Sequence, residues 1–314
     1  MNKELQQSIK QTLAYFDTFD YPLTFVEIHK WLWKPDGIYT IEQVYTEVCL
    51  LKNNNTIYTL DGFYFFKERE EIVEKRQSAV LLVKQKIAIA KRASRIVRFV
   101  PFVTALFVCN TVAGSIPSQY SDIDVLIVTK DKHIWVCRFL ITVLLFLFRL
   151  RRTTTKIDNK ICLSFYITQS AIDFNGIQLT KPDIYLAYWI DQLIPLYDPT
   201  NFLTKIYLKN TWVHKKIPNG FVPPMLHSDW IVKDTVVSAS IRWMISIPFV
   251  LFGIFVENIF KKIQKRKMIK NIGSIQHEPD SRVIISDTML KFHENDRRIF
   301  FKQRWIKRCK ELGL

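Results

Sequence analysis

The sequence predicts an α+β protein: an N-terminal unit of three helices and a hairpin, a small mixed sheet backed by helices, and an α-helical C-terminal region. Three observations predict it. Asp61-Gly62, the strongest short hairpin signal, lies between two β-rich runs; apolar β-rich runs alternate with helical spacing over 104–167; and from about Lys181 the pattern turns helical again. There is no internal repeat or low-complexity tract.

In the N-terminal unit, residues 4–16 have helical spacing, and Thr24 is a good N-cap for a second helix through Trp33 after Pro22 interrupts the chain. A third helix starts at Thr40-Ile41-Glu42-Gln43, where Gln43 takes the third place of a capping box, and ends in Asn53-Asn54-Asn55. Thr56–Leu60 and Phe63–Phe66 then flank Asp61-Gly62. Three helices and a hairpin make a winged helix over 1–70. In such a fold the third helix enters the DNA major groove. The charges argue against that role here, because this helix carries Glu42 and Glu47 with no basic residue before Lys52, whereas duplex affinity comes mostly from phosphate neutralisation.

From Lys67 to about Arg98, acidic first and basic later, the sequence reads as one helix linking two domains (linker 71–98), in the order that suits the helix macrodipole. A strand Thr104–Cys109 follows Pro101. A loop or helix over 110–120, the run Asp122–Val128, an apolar helix over 134–150 broken by Arg138, and a strand Ile161–Ile167 complete a unit over 99–178. In the region 179–314, Pro195, Pro218, Pro223 and Pro224 mark breaks.

The chain has 314 residues, 48% hydrophobic and 14% aromatic, enough to build a substantial core. Forty-five basic against 29 acidic residues give a net charge of +16, which points to a polyanionic partner: nucleotide, nucleic acid or an anionic membrane. The excess is uneven. Residues 1–70 carry 7 basic and 10 acidic side chains, so the rest of the chain holds all of the positive surplus. Five scattered cysteines form neither a C-x-x-C pair nor a zinc spacing, so a reducing cytoplasm is expected. Met1–Gln7 lacks the apolar core of an export signal.

Chemistry concentrates at Ser121-Asp122-Ile123-Asp124, which runs straight into Val125-Leu126-Ile127-Val128. In a strand, residues two apart share a face, so Asp122 and Asp124 project side by side while Ile123 enters the core. Adjacent carboxylates repel unless a cation lies between them. Mg²⁺, or Mn²⁺ in its place, is the ordinary solution, held by one or two carboxylates and the phosphates of a substrate. A solvated turn is the bland reading of an Asp-x-Asp, but this pair sits where a core strand meets the surface.

These residues resemble the nucleotidyltransferases of the DNA polymerase β type, especially their minimal bacterial and archaeal domains: a Gly-Ser pair opening a helix, about ten residues, then Ser-Asp-Ile-Asp on a strand. The resemblance covers roughly 100–170. The whole chain is also similar to bacterial proteins that place a winged helix before such a domain, including a Phe-Asp-Tyr-Pro-Leu-Thr opening, here Phe19–Thr24. It implies that Asp122 and Asp124 hold metal, that Ser121 precedes them as in the family, and that a nucleoside triphosphate binds nearby. The spacing to Asp122 puts Asn110-Thr111 where the family has Gly-Ser; an alternative alignment uses Gly114-Ser115. The activity implied is transfer of a nucleoside monophosphate to an acceptor hydroxyl on RNA, protein or a small molecule, with release of pyrophosphate.

Two departures bear on that activity. Asn110 has a side chain where glycine lets backbone N–H groups approach phosphates. The family's third carboxylate falls on the strand Ile161–Ile167, which has none; its inward polar candidate is Ser164, and Asp158 beside Asn159 and Lys160 reads as a surface turn. Two-metal transfer needs that third ligand, so a degenerate member that binds nucleotide without turnover is the first alternative. The second is a winged-helix regulatory or interaction protein whose basic C-terminal half meets nucleic acid or membrane.

Residues 243–260 are strongly apolar and are followed by Lys261, Lys262, Lys265, Arg266 and Lys267. An apolar segment with a basic flank suits an anionic membrane surface, here through 243–267, although Pro248, Gly253 and Glu257 argue against a span. Core burial is the commoner fate of such a length. The basic C-terminal run from Lys291 to Lys310, interleaved with Phe300, Phe301 and Trp305, reads either as an RNA- or base-binding surface or as a solvated helix face.

Overall fold

A computed structural model describes residues 2–220, 228–272, 281–293 and 296–314. Helices α1 (Lys3–Asp17), α2 (Phe25–Lys30) and α3 (Ile41–Asn53) are joined by a small antiparallel sheet of β1 (Leu23–Thr24), β2 (Tyr58–Leu60) and β3 (Phe63–Phe65), in the order β1-β3-β2. Both expected caps form: Thr24 with Glu27 and Thr40 with Gln43 each make a reciprocal capping box. The α2 helix stops at Lys30, short of Trp33. Asp61 and Gly62 have φ of 51° and 79°, the left-handed pair that lets a two-residue turn follow the strand twist.

The long helix α4 (Glu71–Val97) leads into a six-stranded sheet of order β7-β4-β5-β6-β9-β8. Its centre is β4 (Val103–Val108), β5 (Ile123–Thr129) and β6 (Ile161–Thr168), with β4–β5 antiparallel and β5–β6 parallel through the crossover helix α6 (Ile134–Leu147). The single turn α5 (Asn110–Ala113) joins β4 to the loop before β5.

The region 179–314 is mostly helical, but not throughout. Three short strands from it complete the sheet: β7 (Ile194–Tyr197) pairs with β4, β9 (Met289–Phe292) pairs with β6, and β8 (Val283–Ile285) pairs with β9. Runs of three or four residues leave little periodic signal, and each gains its hydrogen bonds from a neighbour distant in sequence. Pro195 is therefore no break. It lies in the edge strand β7, where a missing N–H is tolerated, and the register with β4 shifts beside it. The breaks expected at Pro223 and Pro224 lie outside the described residues.

The remaining helices are α7 (Ile184–Asp191), α8 (Phe202–Lys209), α9 (Thr211–His214), α10 (Val236–Leu251), α11 (Gly253–Ile272) and α12 (Arg298–Glu311). One sheet face, with Phe107, Leu126, Val128 and Phe165, shares a continuous core with α1–α3 and α7–α9. The opposite face, with Leu106, Ile127 and Tyr166, packs on α4 and α6. The N-terminal helices are thus not a detached module: Trp33 is 1% exposed, its ring lies 5.7 Å from Tyr188 of α7, and the Tyr188 hydroxyl donates to the Trp31 carbonyl at 2.8 Å.

Helix α12 fastens the two ends of the chain together. Trp305 Nε1 donates to the Gln11 carbonyl at 3.0 Å, Arg308 pairs with Asp17 at 2.8 Å, and Phe301 stacks on Tyr185. Phe301, Trp305 and Arg308 thus serve in packing, while Arg297, Phe300, Arg304, Lys307 and Lys310 are exposed.

Candidate functional site

The lysine on α4 and the start of β6 position the carboxylate strand. Lys86 Nζ donates to the Ser121 carbonyl at 2.7 Å and to Asn159 Oδ1 at 2.9 Å, and Ile123 N–H donates to the Lys160 carbonyl. Alternation in β5 then sends Ile123 and Val125 to the α4–α6 core and Asp124, Leu126 and Val128 to the other face. Asp122 and Asp124 thus emerge side by side at the N-terminal end of the central strand β5, on the face that α7 and the N-terminal helices cover.

A third donor joins them. Cys162 is the register partner of Asp124 across the parallel β5–β6 pair, and ligand atoms of Asp122, Asp124 and Cys162 lie within 4.8 Å of one another. One extra residue of β6 between the pairs Asp124–Cys162 and Leu126–Phe165 makes a bulge. Through it Ser164 also reaches this face, its hydroxyl donating to Asp124 Oδ1 at 3.5 Å.

The electrostatics of the pair are unequal. Arg152 is held by its N–H to the Ile161 carbonyl and places Nη1 2.7 Å from Asp122 Oδ2. Among the described residues no cation is in contact with Asp124; the groups it meets, Ser164, Asn110 and Cys162, are neutral, and Arg152 acts on it through its charge alone. Burial and then the charge of Asp122 push its carboxyl above the ordinary carboxylate range. Burial, helped by both carboxylates, likewise pushes the Cys162 thiol up to about 12, so it stays protonated at neutral pH.

This donor set fits one hard cation. Two carboxylates and substrate oxygens suit Mg²⁺ or Mn²⁺, and a carboxylate destabilised by its neighbour gains from a charge between them. A protonated thiol is a poor ligand for such an ion, so Cys162 adds no third hard donor to the carboxylate pair.

Asp124 opens into a cavity of about 590 Å³ lined also by Asn110, Thr111, Arg152, Ser164, Trp189, Lys291, His293 and Arg297. Asn110 has φ of 56°, a backbone conformation that glycine takes freely and that asparagine tolerates best among other residues. Its side-chain oxygen accepts from Trp189 Nε1 at 2.8 Å, which fixes the turn against α7. The cavity therefore gathers Asn110, Thr111 and Asp124. Ser115 is directed elsewhere, into a separate cavity with Tyr21, Glu27 and Arg76. Ser121 acts at the strand's entrance, its hydroxyl on the Ser118 carbonyl and its own carbonyl on Lys86. Asp158 is exposed in a turn outside the cavity.

Three cavity residues escape a reading by sequence. Cys162 carries a strand-period signal relative to Ser164, two residues on. Arg152 and His293 carry none, because the first depends on a bridge beside Ile161 and the second on the distant strand β9. His293 Nε2 lies 3.0 Å from Ser164 Oγ. Burial, then the charge of Lys291, brings this imidazole down to about 4, so it is neutral at physiological pH. The nearby Lys291 and Arg298 are themselves paired with Asp296, whereas Arg297 is exposed at the cavity mouth.

No family model matches the chain, and neither a curated protein nor a solved structure matches it.

Proposed function

We propose that this cavity binds a nucleoside triphosphate with one divalent cation, in a nucleotidyltransferase-like unit preceded by a winged helix. The observation that carries the reading is Asp124, a half-buried carboxylate pushed up by burial and then by Asp122, hydrogen-bonded by neutral groups and lining a cavity large enough for a nucleotide. The cation would rest on Asp122 and Asp124, where it supplies charge neutralisation for the phosphates. Thr111 offers a hydroxyl, and Arg152 and Arg297 offer guanidinium groups, to the same phosphates. The aromatic wall formed by Trp189 and Tyr185 is suited to a base.

Binding without rapid transfer is favoured by the lack of a third carboxylate on β6, where Cys162 and Ser164 are both neutral. A second reading, transfer of a nucleoside monophosphate to an acceptor hydroxyl, is favoured by Ser164 and His293. A neutral imidazole 3.0 Å from a hydroxyl can accept its proton, or that of an acceptor in its place, the role a third carboxylate would fill.

Calorimetry with nonhydrolysable triphosphate analogues, with and without Mg²⁺, tests binding. The expected result is cation-dependent binding that Asp124→Asn abolishes; no binding by the native protein overturns the proposal. Labelled triphosphates incubated with the protein and cellular RNA or protein distinguish the two readings.

A further inference from the structure

Helices α10 and α11 bury polar side chains and expose apolar ones. Along α11 Phe260 packs inward on Phe139, but two of the buried residues are polar: Glu257 accepts from the N–H groups of Trp135 and Val136 at the start of α6, each at 2.9 Å, and Gln264 donates to the Trp135 carbonyl at 2.7 Å and accepts from Arg138 at 2.8 Å. Its outward stripe at four-residue spacing is Phe255, Ile259 and Ile263, with Phe255 70% exposed. Helix α10 repeats the pattern. Ser238 is buried and Arg242 is bound to Asp234 and the Tyr197 hydroxyl, while Val237, Trp243, Met244 and Val250 face outward, Trp243 being 67% exposed.

Isolated exposed apolar residues need no explanation, but two successive helices that expose them in stripes do. The helices meet at a break of 87° after Pro248 and before Phe255, and no single helix among the described residues is long and apolar enough to cross a membrane. The exposed apolar side chains of the two helices form a surface on either side of the bend. Charge decides what that surface is. In 236–256 the one charged residue is Arg242, already paired. Directly after it come Lys261, Lys262, Lys265, Arg266 and Lys267, of which Lys262, Arg266 and Lys267 are exposed beside Ile259 and Ile263.

We propose that the α10–α11 hairpin docks the protein on an anionic lipid bilayer, its apolar stripes in the acyl–headgroup boundary and its lysine and arginine cluster on lipid phosphates. The arrangement matches interfacial helices, in which apolar burial and basic charge act together. Glu257 does not oppose this docking, because it is spent inward on the start of α6. The surface stands apart from the Asp124 cavity, which no residue of α10 or α11 lines.

Flotation of the full chain with phosphatidylcholine vesicles, with and without phosphatidylglycerol, tests the proposal. Recovery with anionic vesicles alone, falling with added salt, is expected. The double variant Lys262→Glu, Arg266→Glu should lose at least about tenfold in affinity, and Phe255→Asp, Ile259→Asp should lose it as well, with circular dichroism unchanged in both. A measurement on near-native protein guards against misfolded variants: brominated lipids should quench a component of tryptophan fluorescence that is missing from Trp243→Phe. Failure to float at low salt overturns the proposal, as does equal flotation with both vesicles. So does a stable lipid-free dimer that the Phe255→Asp, Ile259→Asp variant converts to monomer, because a second copy would then own the face.

Discussion

His293 at the end of β9 meets Ser164 of β6 at 3.0 Å, joining residues 129 positions apart at the side of Asp124. Under the proposed function, Ser164 occupies the position of a third carboxylate. If protons leave an acceptor through this pair, His293→Gln should slow single-turnover nucleotide transfer by about a hundredfold. Nucleotide affinity, read by calorimetry, should stay within about twofold. Equal losses in both would make His293 a binding residue.

Removing one charge from the carboxylate pair should separate function from stability. In Asp124→Asn the repulsion from Asp122 disappears while the contacts to Ser164 and Asn110 remain available, so thermal unfolding should occur at the same temperature or about 1–2 °C higher. Cation-dependent nucleotide binding should vanish. A lower midpoint, measured by calorimetric scanning without cation, would show that the carboxylate is a structural group.

Acid should weaken the edge formed by β9 and α12. Burial works against the charge of Asp296, but Arg298 and Lys291 outweigh it and bring the carboxyl to about 2. A folded value below the unfolded one means that the ionised form stabilises the fold. That stabilisation, about 2 kcal/mol, is complete above about pH 4 and is lost as the pH falls through about 2. Urea midpoints followed against pH should show this slope in the native protein and a flatter one in Asp296→Asn.

The N-terminal helices and the sheet should unfold together. Trp33 lies in a core shared by α1, α7 and α12, against Tyr188 and Trp305. Trp33→Ala should cost about 3–5 kcal/mol and shift fluorescence and circular dichroism transitions equally. Two separated transitions in the native protein would mean that the shared core does not couple its halves.

Local signals made much of the fold legible. Asp61-Gly62 gave the hairpin, Thr24 and Thr40 gave the helix starts, and the apolar run after Asp124 gave the central strand, since each rests on residues close in sequence. The strands β7, β8 and β9 stayed hidden because runs as short as Val283–Ile285 acquire strand character only from a partner. The same physics divided the site. Asp122 and Asp124 announce themselves by period and charge, and the left-handed Asn110 explains how a side chain stands where glycine was expected. Arg152 and His293 could not be read, because nothing local marks an arginine or histidine that will meet an aspartate or serine across the sheet.

The pairing of β9 with β6 and of α12 with α1 fixes when this protein can fold. Strand β6 presents an open edge until residues near 290 have been synthesised, and α1 waits for residues beyond 300 to cover it. Synthesis is slower than hydrophobic collapse, so a nascent chain must hold a strand with one open edge, and a helix lacking its C-terminal cover, until the last part of synthesis. A chain truncated before β8 would lose His293 and would also keep that edge permanently, exchanging an inactive cavity for a tendency to aggregate.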